Sequence, residues 1–224
     1  MNAPRQICAV VPVKDTRKAK QRLAAVLSGA RRQELALAML ADVLAALAHV
    51  PELAGVVVAT IDPAAAALAA RYGARSSGEA ARDGHTGAVA AAARRLAAEG
   101  LDMLALPGDI PLVEADDIRQ LIAAHGDAPA FTIAPARDER GSNAVLCSPA
   151  GIVPLRFGAD SFFPHLDAAK ALGITPAVVH RPRIALDIDT VDDLAALLAV
   201  PGRTCTQALL ERWRMQDDAI EASA

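Results

Sequence analysis

One apolar run that ends in Pro-Gly and an acid constrains this chain more than any other stretch: Leu104-Ala105-Leu106-Pro107-Gly108-Asp109. A run of this length suits a strand covered on both faces, and Pro-Gly ends it in a sharp turn. In open α/β sheets, ligands bind outside the carboxyl ends of the strands. We therefore expect Asp109 to present its carboxylate to a ligand. The alternative is that Asp109 only caps a helix that starts near Glu114.

Strands and helices alternate along the rest of the 224 residues. Apolar runs predict strands at 7–13, 55–60, 74–76, 130–135, 144–147, 177–180 and 184–190. Helical periodicity and capping residues predict helices between them, at 31–48, 62–72 and 191–198 and in segments ending near residues 98, 125 and 172. This alternation predicts one α/β domain over residues 1–200, with a Rossmann-like, mostly parallel sheet and helices on both faces. The strand pair around Ser142 breaks the alternation, so we expect a mixed sheet.

The last segment, 201–224, reads as an appended helical tail. It is polar and amphipathic and holds the only tryptophan of the chain, Trp213. An amphipathic helix with one large aromatic residue could join two copies of the chain, so we expect a homodimer.

Composition excludes several classes of partner. The net charge is −3, which provides no basic field for nucleic acid. No apolar run reaches membrane-spanning length, and no signal peptide is evident at the N-terminus. The cysteines Cys8, Cys147 and Cys205 form no metal or disulfide spacing. We therefore expect a cytoplasmic protein without nucleic-acid or membrane partners.

Basic residues cluster directly after the first strand, which is unusual in a net-acidic chain. Lys14, Lys20 and Arg22 lie in a loop that leads into a short helix. They are candidates for binding a polyphosphate. The alternative is an ordinary solvated loop.

A second acidic strand end is predicted at Asp187 and Asp189. Residues i and i+2 of a strand share a face, so both carboxylates could meet Asp109. Two carboxylates about 4 Å apart repel by roughly 4 kcal/mol at an effective dielectric near 20, and a cation relieves this. Carboxylate oxygens without His or Cys select Mg²⁺, or Mn²⁺ in its place. The alternative is that Asp187 and Asp189 cap the last helix.

A separate anion site is predicted around Gly158 and Ser161. Glycine lets backbone N–H groups turn inward, and a helix begins there. Ser142 and Asn143 would add a hydroxyl and an amide. The alternative is that Ser161 is a plain N-cap. A metal, a polyphosphate site and a small anion site together indicate nucleotidyl transfer. His85, His165 and His180 look isolated and are not expected to bind metal.

These motifs, in this order, resemble the family of 2-phospho-L-lactate guanylyltransferases, within the MobA-like nucleotide-diphospho-sugar-transferase superfamily. The resemblance runs from Ile7 to about Leu198. It rests on these segments: Val11-Pro12-Val13-Lys14, Ala19-Lys20-Gln21-Arg22-Leu23, Leu106 to Leu112, Gly141-Ser142-Asn143-Ala144, Arg156-Phe157-Gly158 with Ser161, and Leu186-Asp187-Ile188-Asp189-Thr190.

The resemblance implies a Mg²⁺-dependent transfer of GMP from GTP to a small phosphorylated acid, with release of pyrophosphate, in deazaflavin cofactor biosynthesis. The acid would be 2-phospholactate, phosphoenolpyruvate or 3-phosphoglycerate. By the same resemblance, Lys14, Lys20 and Asp109 would be catalytic, and Asp109, Asp187 and Asp189 would hold the metal. The nucleotide would contact Val13, Lys14, Lys20, Arg22, Gly84, Gly87, Pro107 and Gly108. The acceptor would contact Ser142, Asn143, Gly158 and Ser161.

One segment departs from the family pattern. Members usually carry a Gly-Leu-Asn-type motif where this chain has Gly84-His85-Thr86-Gly87. We expect this segment on the nucleotide side, so the departure leaves the base open and the metal and acceptor chemistry unchanged. The departure is also consistent with a divergent subfamily that uses a different acceptor. The alternatives are a cytidylyl or molybdopterin-type nucleotidyltransferase, or a non-catalytic nucleotide-binding α/β domain.

Overall fold

The computed structural model describes residues 6–79, 84–158 and 160–221. Parts of two predicted loops lie outside these ranges, namely residues 80–83 of the glycine-containing loop at 78–87 and Ala159 of the predicted anion loop.

A seven-stranded sheet forms the centre of the molecule. Its strands are β1 (Ile7–Pro12), β2 (Leu53–Ala59), β3 (Arg75–Ser77), β4 (Asp102–Ala105), β5 (Ala130–Pro135), β6 (Ser142–Ser148) and β7 (Ala177–Val178). They lie in the order β3-β2-β1-β4-β6-β5-β7. Neighbours pair in parallel except at β6, which is antiparallel to both β4 and β5. The predicted mixed, mostly parallel sheet is confirmed.

Helices cover both faces of this sheet. They are α1 (Gly29–Ala48), α2 (Pro63–Arg71), α3 (Gly84–Ala98), α4 (Ala115–Ala123), α5 (Phe162–Ala171), α6 (Pro182–Ala185), α7 (Val191–Ala199) and α8 (Cys205–Glu221). Strand β1 has apolar side chains on both faces, and both faces are covered. Ile7, Ala9 and Val11 pack with α1, α2 and α4, whereas Cys8 and Val10 face α3. No helix in the described ranges is both long and apolar enough to cross a bilayer.

The strand predicted at 184–190 is wrong. Pro182 starts the four-residue helix α6, and an irregular segment follows up to α7. Proline suits the first turn of a helix because its missing N–H has no partner to lose there. Single hydrogen bonds hold the irregular segment instead of a ladder: Ile188 N donates to Asp109 O at 3.0 Å, and Arg137 N donates to Ala185 O at 2.9 Å. Asp187 and Asp189 are therefore placed by a loop.

Helix α8 is the predicted tail, and it packs against α1. The buried carboxylate of Asp42, on α1, accepts from Thr206 Oγ1 at 2.6 Å and from two backbone N–H groups at the start of α8. Trp213 is 6% exposed and packs with Leu35 and Met39 of the same chain. The indole expected at a dimer contact is thus covered by its own chain, and a homodimer stays a prediction.

Candidate active site

The carboxyl ends of β1 and β4 open on one crevice at the centre of the sheet. From β1 the chain continues to β2 on one side, whereas β4 lies on the other. Such a change of direction creates the crevice in which α/β sheets bind ligands. Val13 extends β1 and donates its N–H to Ala59 O at 3.0 Å, and Pro107, Gly108 and Asp109 follow β4.

Asp62 holds the basic loop against this edge. Its carboxylate accepts from Thr16 N at 2.7 Å and Thr16 Oγ1 at 2.6 Å, and it also caps the first turn of α2. Burial alone would raise the pKa of Asp62, but these hydrogen bonds to the charged form outweigh it and lower the pKa. An ionised, buried Asp62 therefore anchors the loop that carries Lys14 and Lys20.

Lys20 lies between two of the three predicted acids. Its Nζ is 2.6 Å from Asp109 Oδ2 and 2.9 Å from Asp189 Oδ1, and its side chain is 7% exposed. The backbone of Lys20 has a φ of +52°, in the left-handed region, which costs a non-glycine residue about 1 kcal/mol. Burial would lower the pKa of Lys20, but the two carboxylates raise it. A charged Lys20 thus joins residues that are far apart in sequence.

The third acid, Asp187, lies beside this pair in a different environment. Its Oδ1 accepts from Asn143 Nδ2 at 3.0 Å, and the same amide donates to Ile184 O at 3.0 Å. Burial and the nearby Asp109 and Asp189 carboxylates raise the pKa of Asp187, and the Asn143 hydrogen bond only partly offsets this. A cation brought to Asp187 would relieve the repulsion.

Two cavities meet at these acids. The first, about 460 Å³, is lined by the basic loop and the β1 and β4 ends, including Val13, Lys14, Lys20, Pro107 and Gly108. The second, about 570 Å³, is lined by Arg22, Ser142, Asn143, Gly158, Ser161 and Asp187, among others. Four residues line both and form what we call the shared wall: His85, Pro107, Asp109 and Asp189. A ligand in each cavity would meet the other there.

Two hydroxyls line the second cavity, and a buried histidine lies behind them. Ser161 Oγ donates to Ser142 Oγ at 3.1 Å, and Ser142 Oγ lies 3.0 Å from His165 Nδ1. Ser161 makes no N-cap hydrogen bond to α5, so the capping role considered from sequence is not what its hydroxyl does. His165, expected to be isolated, is buried within this group. A sequence signal existed, because Ser161 and His165 are four residues apart at the start of a helix.

The segment that departs from the family pattern borders both cavities. The ring of His85 lies 4.6 Å from that of Phe157, centroid to centroid, and Phe157 N donates to Thr86 Oγ1 at 3.0 Å. Burial lowers the pKa of His85 to about 4, so its ring is neutral near pH 7. The first turn of α3 makes His85 part of the shared wall, so the segment borders both cavities, and its assignment to the nucleotide side stays a prediction.

The structure brings most of the predicted site residues together. The exceptions are Gly84 and Gly87, which lie at the start of α3 and line neither cavity, whereas His85 between them lines both. The sequence reasoning did not predict Asp62, Thr16, His85 or His165 as site residues, whereas Phe157 belongs to the segment predicted to bind an anion. Their roles depend on contacts between elements that lie far apart in the chain.

The three acids predicted to hold a metal are not gathered around one point in the described ranges. Within the described ranges, no group of three or more His, Cys, Asp or Glu side chains is placed to hold a metal ion. Lys20 instead supplies the positive charge between Asp109 and Asp189. The donor chemistry still fits a hard divalent cation, since every candidate is a carboxylate and Asp187 carries a raised pKa that a cation would lower.

Comparison with known proteins is consistent over nearly the whole chain. A family model described as "Guanylyl transferase CofC like" matches residues 7–224. A phosphoenolpyruvate guanylyltransferase of Roseiflexus castenholzii is 41% identical over 214 residues, covering 94% of this chain and 97% of the relative. A 3-phospho-D-glycerate guanylyltransferase of Colwellia psychrerythraea is 34% identical, covering 89% and 94%.

Solved structures with low identity share the fold. One from Desulfovibrio desulfuricans G20, described as a nucleotide-diphospho-sugar transferase, aligns with a TM-score of 0.72 at 19% identity, covering 97% of this chain and 98% of the other. A 4-diphosphocytidyl-2C-methyl-D-erythritol synthase aligns with a TM-score of 0.59 at 14% identity, covering 92% and 99%.

Proposed function

Because this chain belongs to the CofC-like guanylyl transferase family and is a nucleotidyltransferase, we propose that it transfers GMP from GTP to phosphoenolpyruvate and releases pyrophosphate. The product would be a guanylyl-diphospho acid that serves deazaflavin cofactor biosynthesis. Phosphoenolpyruvate ranks first because relatives at 38–41% identity are named for it. 3-Phosphoglycerate and 2-phospholactate are the other acceptors to test.

The shared wall carries this proposal. GTP would occupy the first cavity, with its triphosphate beside Lys14 and Lys20, and the acid would occupy the second, beside Ser142, Gly158 and Ser161. The reacting atoms would then meet at Asp109 and Asp189. An oxygen of the acceptor phosphate forms a bond to the α-phosphorus of GTP while the bond to the pyrophosphate oxygen breaks. No protein nucleophile is needed, and the side chains orient both substrates and balance their charge.

Lys20 and the three acids would balance charge in different ways. Lys20 carries a positive charge that is held by Asp109 and Asp189 before substrate binds, and it lies where a triphosphate can compete for it. Asp109, Asp187 and Asp189 would hold Mg²⁺, or Mn²⁺ in its place. Such a metal neutralises phosphate charge that builds up in transfer.

The test is pyrophosphate release in the presence of Mg²⁺, with each of the four nucleoside triphosphates crossed against the three acids. We expect release with GTP and phosphoenolpyruvate. Release with GTP and another acid would support the same reaction with a different acceptor. Release with CTP would indicate that the segment containing His85, which departs from the family pattern, accompanies a change in the base that the enzyme accepts. No release from folded protein in any combination would contradict the proposal.

A further inference from the structure

Both ring nitrogens of the buried His165 have hydrogen-bond partners, and these partners determine which nitrogen carries the ring proton. Its Nε2 lies 2.9 Å from the backbone nitrogen of Arg156, which can only donate. Nε2 therefore accepts and carries no proton, and the proton of the neutral ring is on Nδ1. Nδ1–H then donates to Ser142 Oγ at 3.0 Å. The backbone N–H of Arg156 therefore fixes the tautomer of His165, because no side-chain rotation can move this donor away.

The proton on Nδ1 of His165 also determines how the hydroxyl hydrogens of Ser142 and Ser161 are arranged. Ser142 Oγ accepts from His165 Nδ1 and from Ser161 Oγ, so both of its lone pairs are used. Its own hydrogen is left over, and no acceptor for it is found in the described part of the chain. If the two hydroxyls rotated the other way, the spare hydrogen would belong to Ser161. Both serines line the second cavity, so in either case one O–H donor faces it.

A packing role alone does not account for His165. Its ring lies against Phe157 at 5.3 Å and Phe131 at 6.5 Å between centroids, and an apolar ring would satisfy those contacts. Burying an imidazole without hydrogen bonds is costly. Here both nitrogens have partners, and one of the partners belongs to the cavity.

We propose that His165 is the positioning residue of the acceptor site: its Nδ1–H holds the Ser142–Ser161 pair as a donor toward the anionic group of the phosphorylated acid. His165 itself does not contact the substrate. This inference rests on the proposed function and deepens it, because it assigns the side chain that makes the serine pair selective for an anion.

The test uses two substitutions that each keep one half of the imidazole. His165→Asn places its amide where Nδ1 lies and keeps a donor to Ser142. His165→Gln reaches the Nε2 position and keeps an acceptor for Arg156 N–H, but it has no donor for Ser142. We expect the KM for the acid to rise roughly tenfold in His165→Gln, as for one lost hydrogen bond, and to stay within about twofold of the wild type in His165→Asn. The KM for GTP should be unchanged in both.

Equal acid KM values in the two variants, or a parallel rise in the KM for GTP, would overturn the inference. A wild type without turnover would refute the proposed function separately, and calorimetric binding of phosphoenolpyruvate to the same three proteins would then decide the role of His165. If neither variant folds, ¹⁵N NMR of the wild type remains decisive. It should show a protonated Nδ1 whose resonance moves on addition of phosphoenolpyruvate, whereas a protonated Nε2 would overturn the inference.

Discussion

Among single side chains, Asp109 and Asp189 both line the two cavities and pair with the buried Lys20, and Asp109 makes the shorter contact, at 2.6 Å against 2.9 Å. We predict that Asp109→Asn lowers kcat at least about 100-fold, as expected when one preorganised charge is removed from a transfer site. Asp167→Asn, at an exposed acid on α5, is the control and should leave kcat unchanged. Steady-state pyrophosphate release measures both. Normal turnover by folded Asp109→Asn would exclude the proposed mechanism.

His165 also makes a prediction about pH. Burial lowers its pKa to about 4 in the folded chain, against about 6.5 when unfolded. Between these values the unfolded chain binds the proton and the folded chain does not. This contribution to stability is therefore complete above about pH 6.5 and is lost toward pH 4, with a slope of up to about 1.4 kcal/mol per pH unit.

Denaturant titrations across this pH range test it. His165→Gln should remove one proton's worth of the pH dependence of the unfolding free energy. An unchanged slope in His165→Gln would mean that the folded chain does protonate His165.

The sequence predicted many site residues because strand ends mark them locally. An apolar run followed by Pro-Gly-Asp identifies Asp109 without any tertiary information. The pairing of Lys20 with Asp109 and Asp189 could not be foreseen, since it spans 89 and 169 residues and needs a left-handed backbone at Lys20. His165 was missed for a related reason, because its role depends on two serines that the fold places beside it.

At the level of elements, an apolar cluster holds the helix α8 to the body beside the hydrogen bonds of Asp42. Trp213 and Leu209 close over residues of α1 and the loop after β1, with Arg31 stacked 5.3 Å from the indole centroid. We predict that Trp213→Ala lowers the free energy of unfolding by about 3–5 kcal/mol. Met215→Ala, at a residue 68% exposed on the same helix, should change it little. Urea titration followed by circular dichroism makes the comparison, and a small effect at Trp213 would mean that α8 is only loosely attached.

The sequence predicted secondary structure well where apolar residues recur regularly along the buried face or faces of an element. Strands β1, β2 and β5 and helices α1 and α2 fall close to their predicted positions for this reason. The segment 184–190 was misread as a strand because it also alternates apolar and acidic residues. There, Ile184 is buried in one apolar cluster and Leu186 and Ile188 are buried in another, so the alternation comes from a short helix and a loop rather than from one face of a sheet.

For the whole molecule, the separation of the two cavities predicts the kinetic pattern. In the proposed reaction each substrate has its own cavity and no covalent enzyme intermediate forms, so both substrates must be present together. Varying GTP at several fixed concentrations of phosphoenolpyruvate should give intersecting double-reciprocal lines. Parallel lines would indicate a ping-pong reaction with an enzyme-bound guanylyl group and would contradict direct transfer.

The reversed direction of β6 has a consequence for how such an enzyme can change. Because β6 runs against its neighbours, its first residues return to the same edge as the ends of β1 and β4. Ser142 and Asn143 thus lie close in the chain to Gly158 and Ser161, whereas the described residues that line the first cavity come from before residue 110, apart from Asp189 of the shared wall. If the cavities are used as proposed, exchange of the single contiguous segment 136–161 between relatives would change the acceptor side of the site and leave most of the nucleotide side as it is.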